Sequence, residues 1–426
     1  MKFTNPPGVF DIVPEAPESW RSSYIWQYVE GKIHAIAREY GFSEMRTPIF
    51  ERAELWQRGV GETSDIVSKE MYLFEDKGGR LMSLRPEGTA SAMRAFIENQ
   101  LPNQGQVHKL YYIGPMFRYD RPQAGRYRQH HQFGVEAIGN NAPEQDAEVI
   151  DMLYTLYARL GLQNLKVYVN SIADAASRTA FRAALQDFLR PHFDELSKDS
   201  QNRFEANPLR ILDSKDPKDQ ELSKGAPSIL DFLNDSSRGH FEQVKKLLHS
   251  LHIPFEINPR LVRGLDYYNN TVFEVVAGDL GAQNSIGGGG RYDGLLKLMD
   301  GPDLPAMGFG TGIERIIQTM LKQDAYIPKA PGAKLYIIPL GEPAKEPCFQ
   351  LLHQLRRKGI PSQMDFSQRK LAKVMQHANQ LGAEYVVVIG ENEIQRGQVE
   401  IKEMATGSKI PVPLKNIIEF FTEGSS

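Results

Sequence analysis

At 426 residues the chain is longer than one hydrophobic core supports, so two or three domains are expected. Its 50 Lys and Arg against 53 Asp and Glu leave a formal net charge of −3, which excludes a global basic field for nucleic acid and leaves room only for a local site. A single cysteine, Cys348, excludes an intrachain disulfide and a Cys-rich zinc module; it reads as a small apolar filler and fits a reducing compartment. The start, MKFTNPPGVFDIVPEAPESW, carries acids and prolines where a secretory signal needs an apolar core. No apolar run reaches the ~18–20 residues of a membrane span, so a cytoplasmic protein with no membrane partner is expected.

In chain order, Trp20, Tyr24, Tyr28 and Ile33 through Ala37 recur at helical spacing over residues 18–40, with Gly41 placed as a stop signal. RTPIFERAELW reads as an extended piece leading into a helix. MYLFEDKGGRLMSLRPEGT reads as a hairpin turning at Lys77, Gly78 and Gly79. KLYYIGPMFRYD and QFGVEAIG are two strands bracketing an Arg-rich loop, and the succession of strands points to an antiparallel sheet rather than βαβ units. Residues 172–255 turn amphipathic and helical, a helical insertion between parts of one sheet. Strand character returns in TVFEVV, followed by the glycine-rich SIGGGGRYDGLL and AMGFGTGIERIIQTML. After the linker YIPKAPGAK, strands and helices alternate to the end, and VEIKEM and KIPVPL form a closing hairpin, giving a separate α/β domain.

Polar side chains gather at strand ends. FRYDRPQAGRYRQHHQFGVE puts Arg118, Arg121, Arg126 and Arg128 within eleven residues. Guanidinium forks suit phosphate oxygens, although such a cluster also fits a solvated charged loop. On the following strand Gln132 and Glu136 share a face, and buried polar groups there need partners. Glu87 in SLRPEGT, the set Arg263, Asp266, Tyr267 and Tyr268 in RGLDYYNN, and Tyr292 beside a glycine run repeat the pattern. GFGTGIER has glycines suited either to close packing or to an anion at a helix start, where Arg315 stands. It lacks the context of a dinucleotide fingerprint, and no G-x-x-x-x-G-K-[ST] occurs.

Taken together, PPGVFDIVPEA, RTPIFE, SLRPEGT, FRYDRPQAGRYRQHHQFGVE, LVRGLDYYNNTVFE, GGGGRYDGL and GFGTGIER resemble, in order and along essentially the whole chain, the histidyl-tRNA synthetases. RTPIFE, the FR…GRYRQ…QFGVE stretch and GFGTGIER match the three motifs of class II synthetases. The resemblance implies an α+β catalytic domain over 1–325 built on the class II antiparallel sheet flanked by helices, a helical insertion at 172–255, and an α/β anticodon-binding domain at 333–426. It implies activation of histidine by ATP with Mg2+ and transfer to tRNA(His), in a homodimer whose interface is largely RTPIFERAELW.

It also implies residue roles. Arg263 and Arg118 would be catalytic on the α-phosphate, Arg118 also meeting the amino-acid carboxylate, while Arg126 and Arg315 would grip the outer phosphates. Glu87, Thr89 and Gln132 would hold the α-amino group, and Glu136 and Tyr268 the two imidazole nitrogens. Tyr267 would help enclose the ring, with Tyr292 close by. Arg121 and Gln123 would read the tRNA acceptor end, and the helical insertion would lean on the acceptor arm. No protein metal site is implied; Mg2+ would ride on the ATP phosphates. From position 331 onward twelve Lys and Arg face ten Asp and Glu, so the anticodon role rests on resemblance rather than charge. Asn270 stands where many relatives carry arginine, and His130 where an aromatic residue is common. The rival readings are the synthetase-like regulatory subunit of ATP phosphoribosyltransferase, which generally lacks the C-terminal domain, and an adenylate-forming amide ligase on the same fold.

Overall fold

The first long helix, α1 (Ser23–Glu39), buries Ile25, Trp26, Val29, Ile33, Ile36 and Ala37. The core stripe is thus rotated from the expected one: Trp20, Tyr24 and Tyr28 sit at its half-buried edge, where rings with polar tips reach water. Gly41 ends the helix at φ +77°, a left-handed position that costs a residue with a Cβ. The computed structural model describes residues 3–61, 64, 66–105, 107–120, 126–278, 285–330, 332–367 and 369–423. Two compact units emerge, Met1–Ile327 and Pro328–Ser426.

In the first unit, β1 (Ser43–Glu44) and β2 (Phe50–Arg52) precede α2 (Glu54–Val60). A hairpin of β3 (Leu73–Glu75) and β4 (Leu81–Leu84) pairs with β2 in a small antiparallel sheet of order β2-β4-β3. Its turn is fixed by the Asp76 carboxylate, which accepts the backbone N–H of Gly78 and of Arg80 at 2.8 and 3.0 Å. Then follow α3 (Thr89–Glu98), β5 (His108–Phe117), β6 (Gln129–Ile138), α4 (Pro143–Arg159) and β7 (Leu165–Ser171). The helices α5 (Ala175–Leu189), α6 (Lys198–Phe204), α7 (Pro217–Leu222) and α8 (Asp235–Ser250) lead to β8 (Phe255–Ile257) and β9 (Asn269–Ala277). β10 (Ser285–Arg291), α9 (Leu295–Leu298), β11 (Ala306–Gly312) and α10 (Ile313–Lys322) complete the unit.

Among the described residues these strands form an eight-stranded sheet, β1-β5-β6-β11-β10-β9-β7-β8. It is antiparallel from β5 to β7, as expected, and parallel at both edges, β1 with β5 and β7 with β8. The parallel edge at β8 has a topological cause: strands joined through a long helical crossover return in the same direction. One sheet face, carrying Phe133, Val135, Ala137, Phe273, Val275, Met307 and Phe309, packs against α1, α4, α8 and α10. The opposite face meets α3 and α5 and holds the polar groups. Within the helical stretch, α8 joins the first core through Phe241, Val244 and Leu248, whereas α5 joins the second through Phe181, Leu185 and Leu189.

The second unit orders its strands β13-β12-β14-β15-β16, from β12 (Leu335–Pro339), β13 (Ser362–Met364), β14 (Tyr385–Ile389), β15 (Gln398–Glu403) and β16 (Lys409–Pro413). β12 through β14 run parallel and the last two close as the expected hairpin. Helices α11 (Glu342–Arg357), α12 (Leu371–Gln380), α13 (Glu391–Arg396) and α14 (Ile417–Glu423) accompany them. Cys348 is buried in this core, as a filler should be. α12 buries only Val374 and Ala378, leaving Leu371 and Leu381 exposed. Among the described residues no helix is long and apolar enough to cross a membrane.

Candidate active site

The polar sheet face opens into a cavity of about 450 Å³. Its floor exists because β11 and β10 present glycines beside the long side chains of Gln132 and Glu136 on β6. Gly308 pairs with Glu136, Gly310 with Gly134 and Gly312 with Gln132. A Cβ at Gly310 would collide with Nε2 of Gln132, and one at Gly308 would lie 2.5 Å from Oε2 of Glu136. Gly134 and Gly88 leave room in the same way for the ring of Tyr112. The alternation on β6 does what the sequence implies: Phe133, Val135 and Ala137 enter the core, and Gln132 and Glu136 point to the other side.

One end of the cavity is acidic and aromatic. Glu136 is fully buried and is not among the residues lining the cavity; it lies behind Tyr292, which donates its hydroxyl to Oε2, while Tyr112 donates to Oε1 at 3.1 Å. Each carboxylate oxygen keeps a second acceptor site. Burial pushes the Glu136 carboxyl up to about 8, against the lowering effect of its hydroxyl donors. Glu87 caps α3, accepting the N–H of Thr89 at 2.6 Å and of Ala90 at 2.8 Å, and burial raises its carboxyl as well. Glu87, Thr89, Gln132, Tyr267, Tyr268 and Tyr292 all line the cavity. The three tyrosine rings pack with centroids 4.6 Å (Tyr267–Tyr268) and 5.4 Å (Tyr267–Tyr292) apart. Among the described residues, Oε1 of Gln132 is buried without a hydrogen-bond partner, an unmet acceptor where a ligand N–H would fit.

The other end is cationic. Arg118 just past β5 and Arg126 before β6, Arg263 before β9 and Arg315 on α10 converge on the same cavity from three separate segments. Each is held from behind. Arg118 donates through Nε to the Pro86 carbonyl at 2.8 Å, Arg126 pairs with Asp120 at 3.0 Å, and Arg315 donates to the Ser285 carbonyl at 2.6 Å. Arg263 lies 3.4 Å from Glu274, and its buried Nε has no hydrogen-bond partner among the described residues. Burial, then the neighbouring Arg126, lowers the Arg315 guanidinium from its ordinary value. His130 lines the cavity here, and burial followed by Arg118, His131 and Arg315 pushes its imidazole down to about 3, so the ring stays neutral. A positive field enclosed in this way favours an anionic ligand.

Of the residues singled out from sequence, Arg121 and Gln123 lie outside the described residues. Sequence reasoning missed three supports. Tyr112 reaches Glu136 across Gly134, and the signal was a tyrosine opposite a glycine in the pairing of β5 with β6. Glu314 accepts the backbone N–H of His131 at 2.8 Å and faces its Nδ1 at 2.9 Å, tying α10 to β6 beside Arg315. Asp120 steadies Arg126, and only its place in an arginine loop hinted at it.

The histidyl-tRNA synthetase family profile matches residues 17–316, and an anticodon binding domain profile matches residues 334–424. The chain belongs to the histidyl-tRNA synthetase family. It is 64% identical over 418 residues to the histidine–tRNA ligase of Protochlamydia amoebophila, covering 98% of this chain and 99% of that protein. It is 48% identical over 426 residues to that of a Geobacillus species, with 99% of each covered. The solved apo histidyl-tRNA synthetase of S. aureus superposes with a TM-score of 0.84 at 38% identity, over 99% of this chain and 100% of that one. The α+β catalytic architecture of a class II synthetase and the α/β anticodon-binding domain implied by resemblance are therefore those of this chain. A Bacillus halodurans chain described as an ATP phosphoribosyltransferase regulatory subunit/histidyl-tRNA synthetase shares the fold at 20% identity and a TM-score of 0.65, covering 92% of this chain and 99% of that one.

Proposed function

We propose that the chain is a histidine–tRNA ligase, which joins histidine to ATP as histidyl-adenylate and then passes the histidine to the 3' end of tRNA(His). The observation that carries this reading is the convergence, in one cavity, of four arginines with a buried carboxylate and tyrosine pocket. A carboxylate oxygen of histidine attacks the α-phosphorus of ATP, the bond to the β-phosphate oxygen breaks, and the electron pair leaves with pyrophosphate. Both reactants are anionic, so Arg118 and Arg263 neutralise the α-phosphate region while Arg126 and Arg315 hold the outer phosphates. The terminal ribose hydroxyl of tRNA then attacks the adenylate carbonyl and AMP departs.

At the acidic end, Glu87, Thr89 and Gln132 receive the α-amino group. Tyr268 holds one imidazole nitrogen, Glu136 acts on the other through the Tyr292 hydroxyl that it accepts, and Tyr267 encloses the ring. Buried carboxyls raised toward neutrality are stabilised by a cationic ammonium and an imidazole N–H, which supports a histidine-shaped ligand. A site that satisfies both ring nitrogens rejects ligands lacking them by about 10⁴ to 10⁵, without an editing domain. Mg2+ enters with the nucleotide as the Mg–ATP substrate, riding on the phosphates. Arg121 and Gln123 read the acceptor end, residues 333–426 read the anticodon, and the protein works in the cytoplasm.

Full-length relatives named as ligases favour this reading over the regulatory subunit. The test is exchange of labelled pyrophosphate into ATP. Histidine alone among the amino acids should support it, and Arg263→Ala should abolish it with thermal unfolding unchanged. Absence of exchange in the parent protein would point to the regulatory reading.

A homodimer is the proposed assembly. Phe50 and Phe74 are exposed on one face of the small β2-β4-β3 sheet and Leu73 and Leu81 on the other, and exposed apolar side chains gathered on so small a sheet support a docking surface.

A further inference from the structure

Residues 261–268, which carry Arg263, Tyr267 and Tyr268 into the cavity, form neither helix nor strand. Their course depends on tethers from outside rather than on a hydrogen-bond ladder. The tethers come largely from the helical stretch between β7 and β8. Arg178 on α5 donates through its guanidinium to the carbonyl of Tyr268 at 2.6 Å. Asn207, just past α6, donates to the Asp266 carboxylate at 2.7 Å, and Arg210 donates to the carbonyl of Arg263 at 3.1 Å. Beyond Tyr268, Asn269 is fixed to the Asp293 carbonyl at 2.7 Å. Tyr268 is thus gripped at its own carbonyl and at the next residue.

Arg178 is suited to this task. It stands one turn into α5, whose N-cap Asp174 accepts the N–H of Ser177 at 2.8 Å, so its starting point is rigid. Burial works against its charge, while Asp266 and Asp174 sustain it. Arg178 does not line the cavity and Asn207 does not either, so neither is placed to touch substrate.

We infer that Arg178 and Asn207 are positioning residues for histidine activation: through them the helical insertion sets where Tyr268 and the Arg263–Asp266 turn stand in the active site. The inference rests on the histidine-pocket reading given above. It makes the loop adjustable at two points, Arg178 acting at Tyr268 and Asn207 at Asp266, in the turn that leads from Arg263.

The test uses the full-length protein in histidine-dependent pyrophosphate exchange. Arg178→Met keeps the stem and removes the donor. It should raise the KM for histidine about tenfold, the worth of a charge-assisted hydrogen bond, with the KM for ATP within about twofold of the parent. Arg178→Lys should restore part of the loss. Asn207→Ala, on a different element, should lower kcat and leave the histidine KM nearly unmoved. Equal shifts in both KM values together with a lower Tm, in both variants, would reduce the residues to scaffold and overturn the inference. Tyr268→Phe is run in parallel. A raised histidine KM there with none in Arg178→Met overturns the tether alone; no rise in either overturns the pocket reading with it.

Discussion

Two buried titratable groups give the site opposite responses to pH. The Glu136 carboxyl is raised to about 8, against about 4.3 in an unfolded chain, so between those values the folded protein keeps a proton that the unfolded one has released. The stability tied to this group is present at low pH and declines as pH climbs through that window. The His130 imidazole is pushed down to about 3, against about 6.5 when unfolded, so its contribution is present above about 6.5 and is lost as pH falls toward 3. Glu136→Gln should therefore flatten the fall of Tm on the alkaline side while sharply weakening histidine-dependent exchange. His130→Phe should flatten the acid side. Thermal melts across the pH range check both, and a Glu136→Gln profile parallel to that of the parent would mean that this carboxyl is ionised throughout. The residue scale is also where sequence reading reached furthest and stopped most sharply. Arginine, tyrosine and glutamate at strand ends announce themselves by type. Glu314 does not, because its partner His131 lies 183 positions away and only the register of β6 against β11 brings them together.

At the scale of elements, the pairing of β6 with β11 makes the pocket. Gly310 is a requirement of space, since the side chain of Gln132 occupies the position a Cβ would take. Gly310→Ala should displace Gln132 and reduce histidine activation on the order of a hundredfold, because misplacing a reacting group by about an ångström costs that much. Its effect on Tm should be small compared with its effect on activity. A variant with normal exchange would show that Gln132 is dispensable. The strands and most helices were legible from period and punctuation. The parallel edges of the large sheet were not, since an edge strand's direction is set by how the chain returns to it, a long-range property that a local pattern of alternation does not encode. The rotated core stripe of α1 has a similar cause: aromatic rings with polar tips satisfy a boundary as well as a core.

At the scale of the whole molecule, Phe50 and Phe74, exposed on one face of the β2-β4-β3 sheet, are where the proposed dimer is tested. They stack edge to face, with ring centroids 6.1 Å apart. Phe50→Glu combined with Phe74→Glu should convert a dimer to monomers in sedimentation, with the far-UV spectrum unchanged. A parent protein that sediments as a monomer would refute the assembly. The division into Met1–Ile327 and Pro328–Ser426 falls within YIPKAPGAK, whose prolines and glycine have the composition of a linker. What the second unit binds is less visible at this scale, because its near balance of charge carries no signature of RNA.

The bare backbone of β11 beneath the pocket has a bearing on how such a protein drifts. Most working clefts are damaged when an atom goes missing; here the harm comes from acquiring one. A lone methyl at Gly308 or Gly310 is the smallest enlargement a codon change introduces, and it would land on Glu136 in the first case and on Gln132 in the second. At those two positions the strand has no space to spare, so an added atom does more damage there than a missing one.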